Sequence, residues 1–320
     1  MAMQVQPTWI GVDVSKATLD ICSTDTGDVL TLPNEGKAIR QWLKRLSGPV
    51  FLTLEATNLF HLELATQAYA RRVTVYLVNG YRLSKYREGI GARAKTDRSD
   101  ARLLRRYGMH EHADLRAWAP PPKGYTTLQR LLHRRAVLVQ ARTTLRQSLT
   151  GMPELKTSVA ALLRKMNHLD HLLIKRLQRI LVKLGWNQQA RRCRAIEGIG
   201  PITSIALTTT FHRGAFASAD AFIAFLGMDV RVRDSGTMRG RRKLTKRGDP
   251  EIRRLLYMAA MTACRSSTWK PFYERMLARG LSTTQALVAL ARKLARIAFA
   301  LLKTGSTYQP KAPGEACPST

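Results

Sequence analysis

Four carboxylates stand out in a chain that is otherwise strongly basic. Asp13 and Glu55 each follow a short apolar segment. Asp97 and Asp100 stand three residues apart, so they share one face of a helix. Carboxylate oxygens are the ligands that hard divalent cations prefer, and two-metal phosphoryl chemistry needs several of them around cations about 4 Å apart. The set therefore predicts a magnesium site that cuts nucleic acid.

Each acid taken alone also has a plainer interpretation. Asp13 could be a turn residue and Glu55 a helix cap, and the aspartate pair could simply match the dipole of a helix start. What favours a metal site is the combination, because all four acids occur in this order on elements that a nuclease core would use. Gly11, two residues before Asp13, permits another element to approach closely.

A second group of residues surrounds Ser235. The segment from Arg231 to Arg254 carries ten Lys/Arg and three Asp/Glu, and its first half, Arg231–Lys243, has the composition of a loop. A serine that attacks phosphate needs access and nearby positive charge to stabilise the pentavalent phosphorus. The residue chemistry alone leaves two alternatives open for Ser235, a nucleophile or a loop serine that binds a phosphate oxygen.

Glycines and cations in the C-terminal half indicate contacts to nucleic acid. Gly198 and Gly200 stand between apolar helical segments, as in a helix-hairpin-helix, whose backbone N–H groups grip phosphates without reading sequence. The predicted nucleic-acid contacts are these two glycines and the cations around Ser235, namely Arg233, Arg239, Arg241, Arg242, Lys243, Lys246 and Arg247.

The charge balance points to the same class of partner. The chain has 53 Lys+Arg against 22 Asp+Glu, a net charge of +31, which is typical of proteins that bind nucleic acid. A ribosome-like structural protein is the plainer alternative. The four cysteines lack zinc spacing and suit a reducing compartment. The N-terminus has no basic region followed by an apolar stretch, and no apolar run is as long as a membrane span. We therefore expect a cytoplasmic protein.

The first 118 residues alternate strand and helix signals, which predicts an α/β domain. Strands are expected at 9–14, 18–23, 29–32, 50–54 and 73–78, and helices at 36–46, 58–71 and from Thr96 to about Tyr107. Thr96 is a suitable N-cap for the last helix. This layout is that of an RNase H-like nuclease core, with the four acids at its catalytic positions.

Three further regions follow a proline-rich break at 119–123. Residues 124–188 predict a helical hairpin that turns at 151–153, with apolar residues at coiled-coil spacing, namely Leu162, Met166, Leu169, Leu173, Ile180 and Leu184. This seam predicts association with another copy or another domain, or else it is one face of an ordinary bundle. Residues 189–306 predict a mostly helical domain, and 307–320 a disordered tail.

These motifs together resemble the insertion-sequence transposases with a RuvC-like DEDD domain, which are related to the Piv-type DNA invertases. The N-terminal likeness is carried by GVDVSK at 11–16, LEAT at 54–57 and KTDRSDAR at 95–102. The C-terminal likeness is carried by EGIGP at 197–201, FLGM at 225–228, DSG at 234–236, RRLLY at 253–257 and ARKL at 291–294. The sequence departs slightly from the family at Asn58, where Gly or Tyr is expected, and at Asp234, where Glu is also seen.

The resemblance implies more than the residues do. It implies that Asp13, Glu55, Asp97 and Asp100 bind Mg²⁺ and that Ser235 is the nucleophile. It also implies donor and target DNA as substrates, and a guide RNA from the element's own noncoding end. It further implies dimers that join into tetramers, with each active site combining the acids of one subunit and the serine of another.

The resulting hypothesis is a transposase that cuts DNA with Mg²⁺ and holds one end as a phosphoserine. A covalent link conserves the energy of the phosphodiester bond, so no ATP motif is needed, and the sequence has no glycine-rich nucleotide loop. Two rivals remain. One is a RuvC-type junction nuclease in which metal-activated water cuts, and the other is a non-enzymatic DNA- or RNA-binding protein.

Overall fold

The computed structural model describes residues 6–56, 59–92, 96–231, 234–235, 238–240 and 242–310, with side chains left undescribed at 234–235 and 238–239. The chain forms two compact units, Met1–Pro120 and Pro121–Thr320. Unit 1 contains a mixed five-stranded sheet with helices, which confirms the mixed α/β class. Unit 2 is mostly helical. Among the described residues, no helix combines the length and apolar character needed to cross a membrane.

All five strands of unit 1 occur where the apolar segments of the sequence predict them. They are β1 (Thr8–Val14), β2 (Thr18–Ser23), β3 (Val29–Pro33), β4 (Val50–Glu55) and β5 (Thr74–Val78). The sheet order is β3-β2-β1-β4-β5. The first three strands pair antiparallel as a meander, whereas β4 and β5 run parallel to β1. The carboxyl ends of β1 and β4 therefore meet at one edge of the sheet.

The register of the central strands decides which side chains share a face. Val12 stands opposite Leu54 and Gly11 opposite Thr53. Val12 and Leu54 are fully buried and pack in the main apolar core of unit 1. Because successive strand residues point to opposite faces, Asp13 and Glu55 share the other face with Gly11 and Thr53.

Four helices connect and cover these strands. They are α1 (Gly36–Leu43), α2 (Leu62–Ala70), α3 (Gly80–Gly89) and α4 (Asp97–Glu111). The sequence-based prediction was wrong on α3, which it missed, and on the bounds of two others: α1 ends three residues before Leu46, and α4 continues past Tyr107. Asn58, the expected start of α2, lies outside the described residues.

Unit 2 begins with the predicted helical hairpin, α5 (Tyr125–Ser148) and α6 (Lys156–Lys183). Asp170 on α6 is buried and forms an ion pair with Arg135 on α5, Nε to Oδ1 at 2.8 Å. On α6, Leu177 and Leu181 enter the apolar core of unit 2. Leu162 and Leu169, in the first part of the predicted coiled-coil seam, do not enter this core, because they are 44% and 47% exposed.

The rest of unit 2 packs helices around one apolar core. They are α7 (Asn187–Arg194), α8 (Pro201–Phe211), α9 (Ala219–Phe225), α10 (Pro250–Ala263), α11 (Lys270–Ala278) and α12 (Thr283–Thr304). The predicted start of the disordered tail is too early. The hydroxyl of Tyr308 donates to Glu197 Oε2 at 2.6 Å, so the chain just after α12 still contacts the body of unit 2. Residues 311–320 of the tail lie outside the described part.

Candidate active site

Asp13 and Glu55 stand at neighbouring strand ends on the face of the sheet that α4 covers. The packing of α4 against Gly11 is close, since a Cβ at that position would stand 2.1 Å from both the carbonyl oxygen of Ala101 and the backbone nitrogen of Arg105. Any side chain larger than hydrogen would therefore push the helix off β1. Gly11 thus sets the distance between the strand acid and the helix acids.

A second close approach fixes the other end of α4. A Cβ on Gly108 would stand 2.0 Å from Oγ1 of Thr53 on β4. Gly11 and Thr53 are register partners on adjacent strands. The strand contributes the glycine at one contact, Gly11, and the helix contributes it at the other, Gly108. The two contacts together bring α4 flat against the sheet. The orientation of its first turn is thereby determined.

The first turn of α4 carries Asp97 and Asp100, as predicted. Thr96 is the N-cap and accepts a hydrogen bond from the backbone N–H of Ser99, while Ser99 Oγ accepts one from the N–H of Thr96. This capping box stabilises the start of the helix, and the N-terminal dipole favours negative charge there. Asp97 is exposed, whereas Asp100 is buried.

The four acids interact electrostatically at Asp13. The pKa of Asp13 is raised from its ordinary value of 3.8 to about 6. Burial is the largest cause, and the negative charges of the other acids follow, with Asp100 ahead of Asp97 and Glu55. Like charges so close to a half-buried carboxylate disfavour its ionised form. The structure thus brings the other three carboxylates within electrostatic reach of Asp13.

Helix α3 supplies two residues that the sequence-based prediction missed. Arg87 donates from its guanidinium to Oδ1 of Asp100 at 2.5 Å, and both side chains are largely buried. Gly80 lies beneath Glu55, since a Cβ there would stand 2.4 Å from Oε1 of Glu55. The available signal was Asn79, whose side chain caps α3 by accepting from the backbone N–H of Tyr81.

The donor set suits Mg²⁺ in its chemistry, because hard cations bind carboxylate oxygens and a cation would relieve the repulsion at Asp13. Among the described residues, however, no three His, Cys, Asp or Glu side chains form a group that could hold a metal ion as they stand. Asp100 is paired with Arg87 instead. The carboxylates are therefore of the right chemical type and lie near Asp13, but they do not form a complete coordination shell in this arrangement.

In unit 2 the backbone around Ser235 forms short strands, where the composition predicted a loop. They are β6 (Val230–Arg231), β7 (Asp234–Ser235), β8 (Met238–Arg239) and β9 (Lys243–Leu244). β6 pairs with β9, and β7 pairs with β8, both antiparallel, with Ser235 opposite Met238. Only residues 236–237 separate β7 from β8 along the chain. We call the segment 230–244 the serine hairpin, and Ser235 lies at its tip.

The base of the serine hairpin is held by close backbone packing. A Cβ on Gly227 would stand 2.5 Å from the backbone nitrogen of Gly248, and one on Gly248 would stand 2.4 Å from the carbonyl carbon of Leu226. Arg253 donates from Nη1 to the carbonyl oxygens of Gly248, at 2.6 Å, and Leu226, at 3.4 Å. The two ends of the segment therefore leave the helical core side by side.

The predicted nucleic-acid contacts divide into three groups. Arg242, Lys243, Lys246 and Arg247 are exposed on or beside the returning strand. Arg233 and Arg241 lie outside the described residues, and so do the side chains of Ser235 and Arg239. Gly198 and Gly200 stand in the turn between α7 and α8.

The two glycines of the turn between α7 and α8 differ in how closely they are packed. Gly198 has φ +86° and packs against α10, since a Cβ there would stand 2.4 Å from the carbonyl oxygen of Ala259. Gly200 caps α8, and a Cβ on it would meet nothing within 4 Å. Gly198 therefore has a packing role, and of the two glycines it is Gly200 that leaves room for a ligand.

Comparison with known proteins assigns the class that the two units define, which is transposase. A DEDD-type transposase model matches residues 10–154, a range that contains all four acids. A second model, described as the transposase IS116/IS110/IS902 family, matches residues 190–274, a range that contains Ser235. The chain belongs to the IS110/IS116/IS902 family of transposases, enzymes that cleave and rejoin DNA.

Individual relatives extend the likeness over nearly the whole chain. The pilin gene-inverting protein of Moraxella bovis is 28% identical over 95% of this chain and 98% of its own length. That of Moraxella lacunata is 28% identical with the same coverage. A probable family 20 transposase of Pseudomonas aeruginosa is 32% identical over 43% of this chain and 42% of its own length. DEDD transposases generally depend on a divalent metal.

Proposed function

We propose that this insertion-sequence transposase cuts and rejoins DNA by attack of Ser235 on a phosphate held at Asp13, Glu55, Asp97 and Asp100. The observation that carries the proposal is the close packing of α4 on Gly11, with would-be Cβ contacts of 2.1 Å. That packing brings two acids of a helix start to the sheet face on which the two strand acids stand. The sheet order β3-β2-β1-β4-β5 also supports an RNase H-like core.

The four carboxylates would hold the divalent cation, for which Mg²⁺ is our proposal. When bound, the cation neutralises charge on the phosphate that is being attacked. Asp13 and Glu55 fix one side of the site from the rigid sheet, while Asp97 and Asp100 approach from α4. While no cation is bound to Asp100, Arg87 neutralises its charge. This pairing reduces the repulsion among the acids.

Ser235 supplies the nucleophile. Its hydroxyl loses a proton as the Oγ–phosphorus bond forms, and the bond from phosphorus to the departing DNA oxygen breaks, leaving a free hydroxyl on that DNA end. A hydroxyl of the exchanged strand then attacks the phosphoserine and releases Ser235. The position of Ser235 at the hairpin tip supports access to a phosphate, and the exposed cations nearby support stabilisation of its charge.

The experiment that tests this proposal looks for the covalent intermediate. End-labelled DNA carrying an element end is incubated with the protein and Mg²⁺, denatured with detergent, and separated by mass. We expect a labelled band at the mass of the protein plus one DNA end, and none with EDTA. Cleavage without such a band would support the water-using junction nuclease. Binding without cleavage under any divalent metal would support the non-enzymatic alternative.

We further propose that a noncoding RNA of the element guides the choice of donor and target. The support is the family resemblance, and the net charge of +31 suits a nucleic-acid partner of either kind. Sequencing of the nucleic acid that copurifies with the protein tests this directly. A discrete RNA from the noncoding end of the element is the expected result, and random cellular RNA would count against guidance.

Association through α6 is our proposal for the assembly, as dimers that join into tetramers. Leu162 and Leu169 stand on one face of α6, and both are exposed in the single chain. Leu169→Asp is expected to prevent assembly, because it puts an unpaired charge into an apolar interface. The free energy of association should become less favourable by several kcal/mol. Light scattering measures the mass.

The control for Leu169→Asp is Gln178→Asp on the same helix. Gln178 is exposed and lies on the opposite face, since nine residues correspond to about two and a half helical turns. It should keep the wild-type mass. A Leu169→Asp protein that is folded and has the wild-type mass would contradict the assembly proposal.

Binding to DNA is expected to be strongly dependent on salt. A protein that neutralises many phosphates loses on the order of a thousandfold in affinity between about 50 and 200 mM salt. Changing Lys243, Lys246 and Arg247 to Gln should reduce the slope of log affinity against log salt by about 0.9 for each phosphate that the variant no longer neutralises. Fluorescence anisotropy across a salt series measures it.

A charge-preserving variant controls for damage to the hairpin. Lys243→Arg combined with Lys246→Arg keeps both positive charges, so its slope should equal that of the wild type. If the Gln variant also keeps the wild-type slope, these cations do not contact phosphate. If the wild-type affinity itself is independent of salt, the basic surface serves something other than nucleic acid.

A further inference from the structure

A basic cleft lies between α3 and α4 in unit 1. Its volume is about 570 Å³, and the residues that line it include Arg87, Ile90, Arg102, Leu103, Arg105 and Arg106. Ile90 and Leu103 contribute apolar surface to the lining, and four arginines contribute positive charge. None of the described residues that line the cleft is acidic. Such a lining combines positive charge with apolar surface, and it is absent from the nucleic-acid contacts that the sequence suggested.

Two of these arginines are available to a ligand. Arg102 and Arg106 are exposed, and across the described part of the chain neither side chain has a hydrogen bond or an ion pair. They stand four residues apart on α4, a separation of about 6 Å along the helix axis. Arg105, by contrast, donates to the carbonyl oxygen of Ser23 at 2.8 Å, and Arg87 pairs with Asp100.

The cleft is continuous with the acid site through one side chain. Arg87 lines the cleft and its guanidinium contacts Asp100 at 2.5 Å. The charge of Asp100 in turn acts on Asp13. Arg102 and Arg106 lie on the same helix as the two acids, but about 160° and 120° around its axis from Asp100. A strand of DNA that leaves the acids past Arg87, between α3 and α4, would next meet these two arginines.

We propose that the α3–α4 cleft binds the sugar–phosphate backbone of the DNA strand beside the phosphate that is cut, with Arg102 and Arg106 each contacting one phosphate. The inference rests on the proposed function, because that function puts a DNA phosphate at the acids. Guanidinium groups bind phosphate oxygens in a two-pronged geometry, and the spacing of one helical turn suits neighbouring phosphates. The apolar surface of Ile90 and Leu103 suits the apolar faces of sugars.

The test compares two double variants of the full-length protein that remove the same charge. Arg102→Gln/Arg106→Gln alters the cleft, and Arg40→Gln/Lys44→Gln alters exposed residues on or beside α1. Affinity for a DNA duplex and for an RNA of the same sequence is measured by anisotropy across a salt series. For DNA, the slope of log affinity against log salt should be smaller by about 1.8 in the cleft variant, at about 0.9 per phosphate. The control should keep the wild-type slope.

Each outcome decides the inference. An unchanged DNA slope in the cleft variant overturns it, and so does a reduction confined to RNA, which would assign the cleft to RNA. Because Arg102 and Arg106 are exposed and unpaired among the described residues, folding is not at risk, and thermal unfolding verifies this. If the slope falls as expected but the wild type never cleaves DNA, the cleft is a DNA site and the proposed function is the part that fails.

Discussion

Asp13→Asn is expected to abolish strand cleavage and to leave the metal-free protein at least as stable as the wild type. The carboxamide loses the negative charge that a divalent cation requires. It also removes the charge that burial and the neighbouring acids oppose, which is why the pKa of Asp13 is raised to about 6. A residue kept for folding would destabilise the protein when changed, whereas this change relieves repulsion. Cleavage assays and thermal unfolding in EDTA measure the two effects.

The pH dependence follows from the direction of this shift. A carboxyl whose pKa is higher in the folded protein than its ordinary 3.8 binds its proton more tightly after folding. Protonated Asp13 therefore favours the folded state, fully below about pH 4, and this contribution is lost as the pH rises through about 6. The Asp13→Asn protein has no carboxyl at this position, so it does not lose this stability as the pH rises. Its melting temperature relative to the wild type should rise between pH 4 and pH 7 in EDTA.

A magnesium series completes this prediction, with Asp28→Asn as the control. Asp28 is exposed in the turn before β3, so the same chemical change there should keep both cleavage and stabilisation by Mg²⁺. The wild type should gain stability on addition of Mg²⁺, because a ligand that binds only the folded state stabilises it, and Asp13→Asn should gain less. Wild-type cleavage by Asp13→Asn would show that the metal site is misassigned.

The sheet of unit 1 could be predicted because its strands are short apolar segments separated by turn and helix signals. In β1 and β4, buried residues such as Val12 and Leu54 form continuous apolar segments. The acids could be predicted because they interrupt that pattern. Thr96 could be predicted as a cap because its hydroxyl meets a known requirement of helix starts. In each case a local rule was sufficient.

Helix α3 was missed because its local signals are weak. It begins with Gly80, it is rich in charged residues, and Leu83 is its one buried residue. Its stability comes from packing beside α4, a long-range contact that no local pattern reports. The Arg87–Asp100 pair, which spans thirteen residues, was hidden for the same reason.

The strands of the serine hairpin were missed for a different reason. Each strand has two residues, which is too short for an alternation of apolar and polar side chains to appear. Their pairing follows from the close approach of Gly227 and Gly248 and from Arg253, which contacts both ends. Composition therefore indicated a loop, while tertiary packing at the base produces a hairpin.

Ser235→Ala is expected to eliminate the covalent protein–DNA species and all recombination while folding and DNA binding remain. The change removes one hydroxyl at the tip of a hairpin whose base is held elsewhere, by Gly227, Gly248 and Arg253. Detergent-resistant labelled DNA and strand exchange are the readouts. Ser267→Ala is the matched control, because Ser267 is exposed in the same unit, and it should retain full activity.

Mixing Ser235→Ala with Asp13→Asn tests how the site is assembled. Ser235 and the acids belong to different units of the chain, so a shared site can take its serine from one subunit and its acids from another. In that arrangement some mixed assemblies contain one intact site, and activity should return although neither variant is active alone. Activity that stays absent in verified mixed oligomers would keep Ser235 as the nucleophile and put both halves of the site in one chain. Full cleavage by Ser235→Ala alone would instead remove the phosphoserine step and make metal-activated water the nucleophile.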